Sequence, residues 1–243
     1  MPLPLPLPLH SRSHAFSSQE DSLSEVGTLG PVQQTHVSFV SRTQFAAGAS
    51  DGTVTLWNLT TRAPIYQHQL PGPVSLLLPW RNLLFAGGGG WDVRVFDWRT
   101  FEPVGNLQGH SDIVHLADKI ASKLLLVTAS LDKTMRLWSI PKFSCAKVLT
   151  FDDCVVSMAA SEEAGVGGSM SLSSMVALFA DNTVRRISTD SGATLVRWQL
   201  NKDISPAFIS VLKQSVFVAW RDSEVLVSMP PTSFYISSSC SLR

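Results

Sequence analysis

Apolar residues in this chain come in short runs that alternate with polar ones, and the runs stop at Gly, Pro, Asn, Ser or Asp. A period of two inside short runs predicts β-strands rather than helices. The clearest instance is residues 124–140, LLLVTASLDKTMRLWSI. An apolar run leads into small residues and a tight turn at Asp132, Lys133 and Thr134, and a second run alternates through Met135, Arg136, Leu137 and Trp138. Two antiparallel strands joined by a turn are expected there.

The same unit recurs. Aligning the turn and the strand after it sets ASDGTVTLW (49–57) beside GGWDVRVF (89–96), SLDKTMRLW (130–138), ADNTVRRI (180–187) and RDSEVLVS (221–228). The turn position falls at Asp51, Gly90, Asp132, Asp181 and Asp222, at intervals of 39, 42, 49 and 41 residues. Each unit has a further strand before the hairpin, at 36–40, 74–78, 113–116, 155–159 and 208–212. Another follows it, at 65–70, 104–107, 146–149, 194–198 and 234–237. The long interval is explained by SEEAGVGGSM at 161–170, a flexible insertion between the first two strands of the fourth unit. Four short antiparallel strands at a fixed period of this size describe a propeller blade.

With its Gly109-His110 pair, turn Asp132 and strand Trp138, the repeat closely resembles the WD-repeat family over residues 26–238. The resemblance implies an all-β WD-repeat β-propeller of about five four-stranded blades over residues 25–238. A Pro/Ser-rich tail at 1–24 would precede it, and a short tail at 239–243 would follow. Residues 26–29, VGTL, are similar to VGNL at 104–107 and would close a five-bladed ring by completing the last blade. Members of the family most often have seven blades, so an incomplete ring is the other outcome.

In the family, a His, a Ser or Thr, an Asp and a Trp of one blade form a hydrogen-bond network. Only the third unit holds all four, as His110, Thr128 (or Ser130, on the same strand face), Asp132 and Trp138. The first unit keeps Asp51 and Trp57 without the Gly-His pair, and the second has Gly90 and Phe96 in the Asp and Trp places. The fourth and fifth keep Asp181 and Asp222 but carry Ile187 and Ser228. Those blades are expected to rest on apolar packing. A His near a hydroxyl and an Asp could also suggest a hydrolase triad, but the repeat accounts for every member.

Composition narrows the function classes. Of 243 residues, 44% are hydrophobic and 16% charged, enough to bury a core throughout one large all-β domain. Nineteen basic residues balance nineteen acidic ones with no basic stripe, so direct nucleic-acid binding is not indicated. No apolar run reaches the ~18 residues of a membrane span. The prolines at 2, 4, 6 and 8 oppose an amphipathic targeting helix, and their even spacing fails the Pro-x-x-Pro pattern. Cys145, Cys154 and Cys240 lack metal-like spacing and suit a reducing compartment, cytoplasm or nucleus. The run Gly87 to Gly90 lacks the Gly-Lys-Ser/Thr ending of a phosphate loop, and no nucleophile elbow or paired-carboxylate arrangement stands out. No metal, no cofactor and no catalysis are expected; an enzyme with an unrecognised site is the remote alternative.

Binding of other proteins through loops remains. Trp91 and Arg221, on turns, are contact candidates because Trp and Arg dominate interface energetics. Trp91 reads equally as a residue packed over a neighbouring blade. Residues 95–99, VFDWR, resemble the Trp-Asp-x-Arg box of WD proteins that act as substrate receptors of a cullin-type ubiquitin ligase, with Phe96 in place of the Trp. That resemblance implies Arg99 as the adaptor-contacting residue and Asp97 as its supporting acid. The two readings are therefore a general scaffold or adaptor subunit and a ligase substrate receptor.

Overall fold

The computed structural model describes residues 33–163, 172–200, 206–212, 215–220 and 223–229. The tails expected at 1–24 and 239–243, the strands at 26–29 and 234–237, most of the 161–170 insertion, and both Arg221 and Asp222 lie outside the described residues.

Strands follow one another in chain order within each sheet. The first sheet is β1 (Gln34–Phe39), β2 (Gln44–Ala49), β3 (Thr53–Asn58) and β4 (Ala63–Gln69). The second is β5 (Val74–Trp80), β6 (Leu83–Gly88), β7 (Val93–Asp97) and β8 (Glu102–Leu107). The third is β9 (Val114–Ile120), β10 (Leu125–Ser130), β11 (Thr134–Ser139) and β12 (Ser144–Thr150). The fourth is β13 (Val155–Glu163), β14 (Leu172–Phe179), β15 (Thr183–Ser188) and β16 (Thr194–Gln199). The fifth has three described strands, β17 (Pro206–Leu212), β18 (Ser215–Trp220) and β19 (Ser223–Met229). A single 3-10 turn at Ala121–Lys123 is the only helical element among the described residues, and none of their helices is long and apolar enough to cross a membrane. The chain divides into two compact units, residues 1–115 and 116–243.

Two departures from the expected strands have local causes. β13 and β14 pair as far as Glu163 opposite Leu172, so part of the presumed insertion lengthens a hairpin instead of looping out. In the fifth sheet, Phe208 lies opposite Ala219 as His36 lies opposite Gly48, which puts Val216 in the place of Phe45. Val216 then faces Met229, so Met229 and not Ser228 holds the place that Trp57 holds opposite Phe45. The hairpin closes at Trp220 opposite Ser223 with only two residues between them, and a register shift between Val218 and Trp220 moves the strand by one place.

Irregularities also repeat. The pairing of the third strand with the fourth shifts register at Leu56/Trp57, Val95/Phe96, Leu137/Trp138 and Arg186/Ile187, always at the Trp place. A bulge at one fixed point adds the same local twist to each sheet.

Cores lie between sheets, because each sheet is apolar on both faces. In the first unit, Ala46, Val54 and Leu56 of the first sheet pack with Leu84, Ala86 and Phe96 of the second. In the second unit β14 shows the principle residue by residue. Met175, Ala177 and Phe179 join Val127, Met135 and Leu137 of the third sheet, while Val176 and Leu178 join Ile209, Val216 and Val218 of the fifth. That two-sided burial is why β14 reads as a nearly continuous apolar run. On the leading strand of the first sheet Val37 is 41% exposed, whereas Leu77, at the same place in the second sheet, is 5% exposed.

Side chains on the leading strands tie neighbouring sheets together. Thr35 Oγ1 donates to the Val74 carbonyl at 2.9 Å, and Ser75 Oγ, one repeat later, donates to the Val114 carbonyl at 2.7 Å. In the second unit Asp118 Oδ2 accepts the Ala160 N–H at 2.7 Å, and Ser157 Oγ accepts the Ile209 N–H at 3.1 Å. Burial pushes the Asp118 carboxyl above its ordinary range, against the pull of the Ala160 and Lys119 N–H groups.

The glycine run has unequal members. Gly89 has φ +65°, and a β-carbon on it would lie 1.9 Å from the Gly72 nitrogen, whereas one on Gly90 would meet nothing within 4 Å. Gly89→Ala should therefore lower stability by ~3 kcal/mol or more, and Gly90→Ala should stay within ~0.5 kcal/mol, as read from urea unfolding. For Asp118 the native carboxyl binds its proton more tightly than the unfolded one. Its stabilisation is complete below the ordinary carboxylate range and is lost as pH rises through the elevated native value. Asp118→Asn should flatten that decline in urea midpoint with pH and be no less stable at pH 7; an unchanged slope would exclude Asp118 as its source.

Candidate interaction surfaces

Because every sheet runs first strand to last in chain order, its turns fall alternately at two opposite ends. The turns between second and third strands lie at one end, with the loops that lead into the next sheet. The other end takes the turns between first and second strands and between third and fourth.

At the first end, a carboxylate caps the turn two residues ahead of the strand. Asp51 Oδ1 accepts the Thr53 N–H at 2.8 Å, Asp132 Oδ1 the Thr134 N–H at 2.8 Å, and Asp181 Oδ1 the Thr183 N–H at 2.9 Å. The residue between adopts a left-handed backbone in each case, at Gly52, Lys133 and Asn182. The Thr53 N–H and hydroxyl hold the Asp51 carboxyl below its ordinary range. The second sheet has Gly90 where the others have Asp, and there Asp92 accepts Asn106 Nδ2 at 3.1 Å and Gln108 Nε2 at 3.2 Å. Trp91, beside it, is 56% exposed.

In the third sheet Trp138 donates its indole N–H to Thr128 Oγ1 at 2.8 Å, with both residues buried. Asp132 also accepts the Thr134 hydroxyl at 2.7 Å. His110 is 5% exposed and belongs to the first unit. Trp57 sits differently: the place of Thr128 is taken by Ala47, and the indole stacks on Phe45 with ring centroids 6.3 Å apart and planes at 7°.

Two polar features escaped the repeat alignment. Arg185 is 8% exposed, with Nε 3.0 Å from Thr183 Oγ1, Nη2 2.8 Å from Asp181 Oδ2 and its guanidinium 4.2 Å from the Phe179 ring centre. Burial raises the Asp181 carboxyl, but the Thr183 hydroxyl and N–H and the Arg185 guanidinium outweigh it and hold the group low. The alternation of TVRRI, which puts Thr183 and Arg185 on one strand face, was the available signal. Gln69 and Gln199, opposite Thr53 and Thr183, close the same turns by donating to the carbonyls of Asp51 at 2.7 Å and Asp181 at 3.3 Å.

At the second end of the first unit, Asp97 Oδ1 accepts the Arg99 N–H at 2.9 Å and Oδ2 accepts Asn82 Nδ2 at 3.1 Å. These bonds, the Arg99 N–H first, hold the Asp97 carboxyl low. Trp98 donates its indole N–H to the Arg81 carbonyl at 2.8 Å, and the Arg99 guanidinium lies 5.6 Å from the Trp98 ring centre. Asp97 thus orders the backbone of the turn and leaves the exposed Arg99 side chain over Trp98. Arg221 lies outside the described residues. Among those residues no three His, Cys, Asp or Glu side chains form a group that could hold a metal ion.

Sheets of this order, register and spacing are propeller blades, and the fold class is all-β. The family description "WD domain, G-beta repeat" matches residues 101–139. This chain is a WD-repeat protein. Zinc finger CCCH domain-containing protein 17 of Oryza sativa subsp. japonica is 31% identical to it over 103 residues, 40% of this chain and 23% of that protein. Pre-mRNA-processing factor 19 of Mus musculus is 33% identical over 94 residues, 38% and 19% of the two chains. The DDB1- and CUL4-associated factor 11 homolog of Caenorhabditis briggsae is 35% identical over 69 residues, 26% and 12% of the two chains. The chain therefore spans less than a quarter of the length of these relatives. Among solved structures, the computationally designed Ika8 protein has a TM-score of 0.65 at 19% identity, covering 78% of this chain and 56% of that one, a likeness of fold.

Thr128→Val removes the hydroxyl that accepts the buried Trp138 N–H and should cost ~1–3 kcal/mol. Trp138→Phe should also destabilise, and the double variant should lose less than the sum by ~1 kcal/mol. A urea double-mutant cycle giving strict additivity would show that the bond carries no stability.

Proposed function

We propose that this chain is a non-catalytic scaffold or adaptor subunit that holds other proteins through turns at the ends of its blades. The observation that carries this is the exposed Trp91 on a turn that Asp92, Asn106 and Gln108 brace from beneath. A large aromatic on a fixed backbone makes an interface anchor at small entropic cost. The match to WD repeats supports the same class. Partners are other proteins, the cytoplasm or nucleus is the setting, and neither cofactor nor metal is called for. Cross-linking and affinity purification of the chain should recover a stable protein assembly, and Trp91→Ala should weaken it about tenfold or more without altering the unfolding midpoint. Recovery of the chain alone, or ligand-dependent stabilisation by a small-molecule substrate, would overturn the scaffold reading.

A second reading has its own support. The turn at residues 95–99 has the Asp-braced, exposed Arg that the receptor box requires, and one relative is named for association with DDB1 and CUL4. As a substrate receptor of a cullin-type ubiquitin ligase, the chain would meet the adaptor through Arg99, with Asp97 holding the turn. Arg99→Ala should then abolish adaptor binding in a pull-down with purified proteins. Equal binding by variant and wild type, or none by either, sinks this reading and leaves the scaffold one standing.

A further inference from the structure

Charge in the first unit is sorted by end. Its described residues, 33–115, hold five arginines, no lysine and five acids. Four of the arginines, Arg42, Arg62, Arg81 and Arg99, lie on the turns of the second end, one on each turn of the two sheets, and all four are exposed. Only Asp97 and Glu102 share that end, while Asp51, Asp92 and Asp112 lie at the first end. Asp97 is committed to the Arg99 N–H and to Asn82. No guanidinium of the four is within an ion pair among the described residues. Arg81 and Arg99 instead lie over Trp80 and Trp98, at 5.9 and 5.6 Å.

The turns are joined into one surface. The Leu59 N–H donates to the Thr43 carbonyl at 2.8 Å, which ties the two turns of the first sheet, and the Trp98 indole ties those of the second through the Arg81 carbonyl. Tyr66 of β4 stacks on Phe101 at 5.8 Å, which joins the two sheets beside these turns. Arg62 and Arg81 adopt left-handed backbones, φ 55° and 58°, at tight turns that fix where their side chains leave the chain.

We propose that this arginine-bearing end docks an acidic protein segment. The inference rests on the scaffold reading and gives that reading a partner chemistry. Four exposed planar forks with no ion pair among the described residues suit carboxylates, which they can engage two bonds at a time. A net excess of two positive charges at this end is too small for the counterion release that drives non-specific nucleic-acid binding. The Trp98 indole has its N–H bonded and its ring covered by Arg99, so it is not an open stacking platform for a base.

The test uses the full chain and three labelled probes: a glutamate decapeptide, a lysine decapeptide and a mixed-sequence RNA decamer, read by fluorescence anisotropy at low and high salt. The glutamate peptide should bind, weaken with salt, and weaken about tenfold or more in the R42Q/R62Q/R81Q/R99Q variant, with each single substitution costing about threefold. Gln keeps the β-carbon of Arg at the left-handed positions, and the single variants carry the test if the quadruple one does not fold. Asp112→Asn, at the opposite end, should bind as wild type does. No binding of the glutamate peptide, equal binding by the arginine variants, or tighter arginine-dependent binding of the RNA would each overturn the proposal. If the wild-type chain still purifies with a stable protein assembly in those cases, the scaffold reading survives alone.

Discussion

A four-stranded sheet with two apolar faces cannot cover either of them by itself. Everything else in this chain follows from that constraint. β14 states it most plainly, giving Met175, Ala177 and Phe179 to one neighbouring sheet and Val176 and Leu178 to the other. The neighbours must come at the right height and angle, and the repeating bulge at the Trp place and the hydroxyl bonds of Thr35 and Ser75 to the next sheet set both. Packing supplies the driving force, and these polar contacts supply the register.

The sheets keep the same geometry with different chemistry. The third uses a buried Trp–Thr hydrogen bond, the first a Trp stacked on Phe45, and the fourth a buried Arg185 held by Asp181 and Thr183. Each device sits on the second and third strands of its sheet or on the turn between them, and each has a different vulnerability. The hydrogen bond and the ion pair are lost by removing one partner, which leaves a buried polar group unpaired. The stacked pair degrades more gradually, because what it loses is contact area.

Much of this was legible in the chain because its causes are local. Asp-x-Thr turns identify themselves, since the carboxylate and the N–H it accepts are two residues apart. The strand order followed from spacing alone, because every connection is a short hairpin or loop. Features that depend on cross-strand register were hidden. Gln69 and Gln199 matter only because Thr53 and Thr183 lie opposite them, and Met229 displaced Ser228 because a shorter turn moved one strand by a residue. The arginine-bearing end was dispersed over nearly sixty residues of sequence and became a surface only when alternate turns were assigned to the same end.

The outermost strands have one further consequence. Among the described residues β4, β8, β12 and β16 each end their sheets, so each presents a row of backbone groups with no described strand beyond it. Such rows invite a second molecule to add its own strand and begin a fibre. Here Pro64 and Pro103 occupy the same place on β4 and β8, opposite Trp57 and Phe96, where each removes a donor from the row. Lys147 on β12 and Arg197 on β16 add charge instead. Prolines and charges on these strands oppose the addition of a further strand along the rims of the sheets.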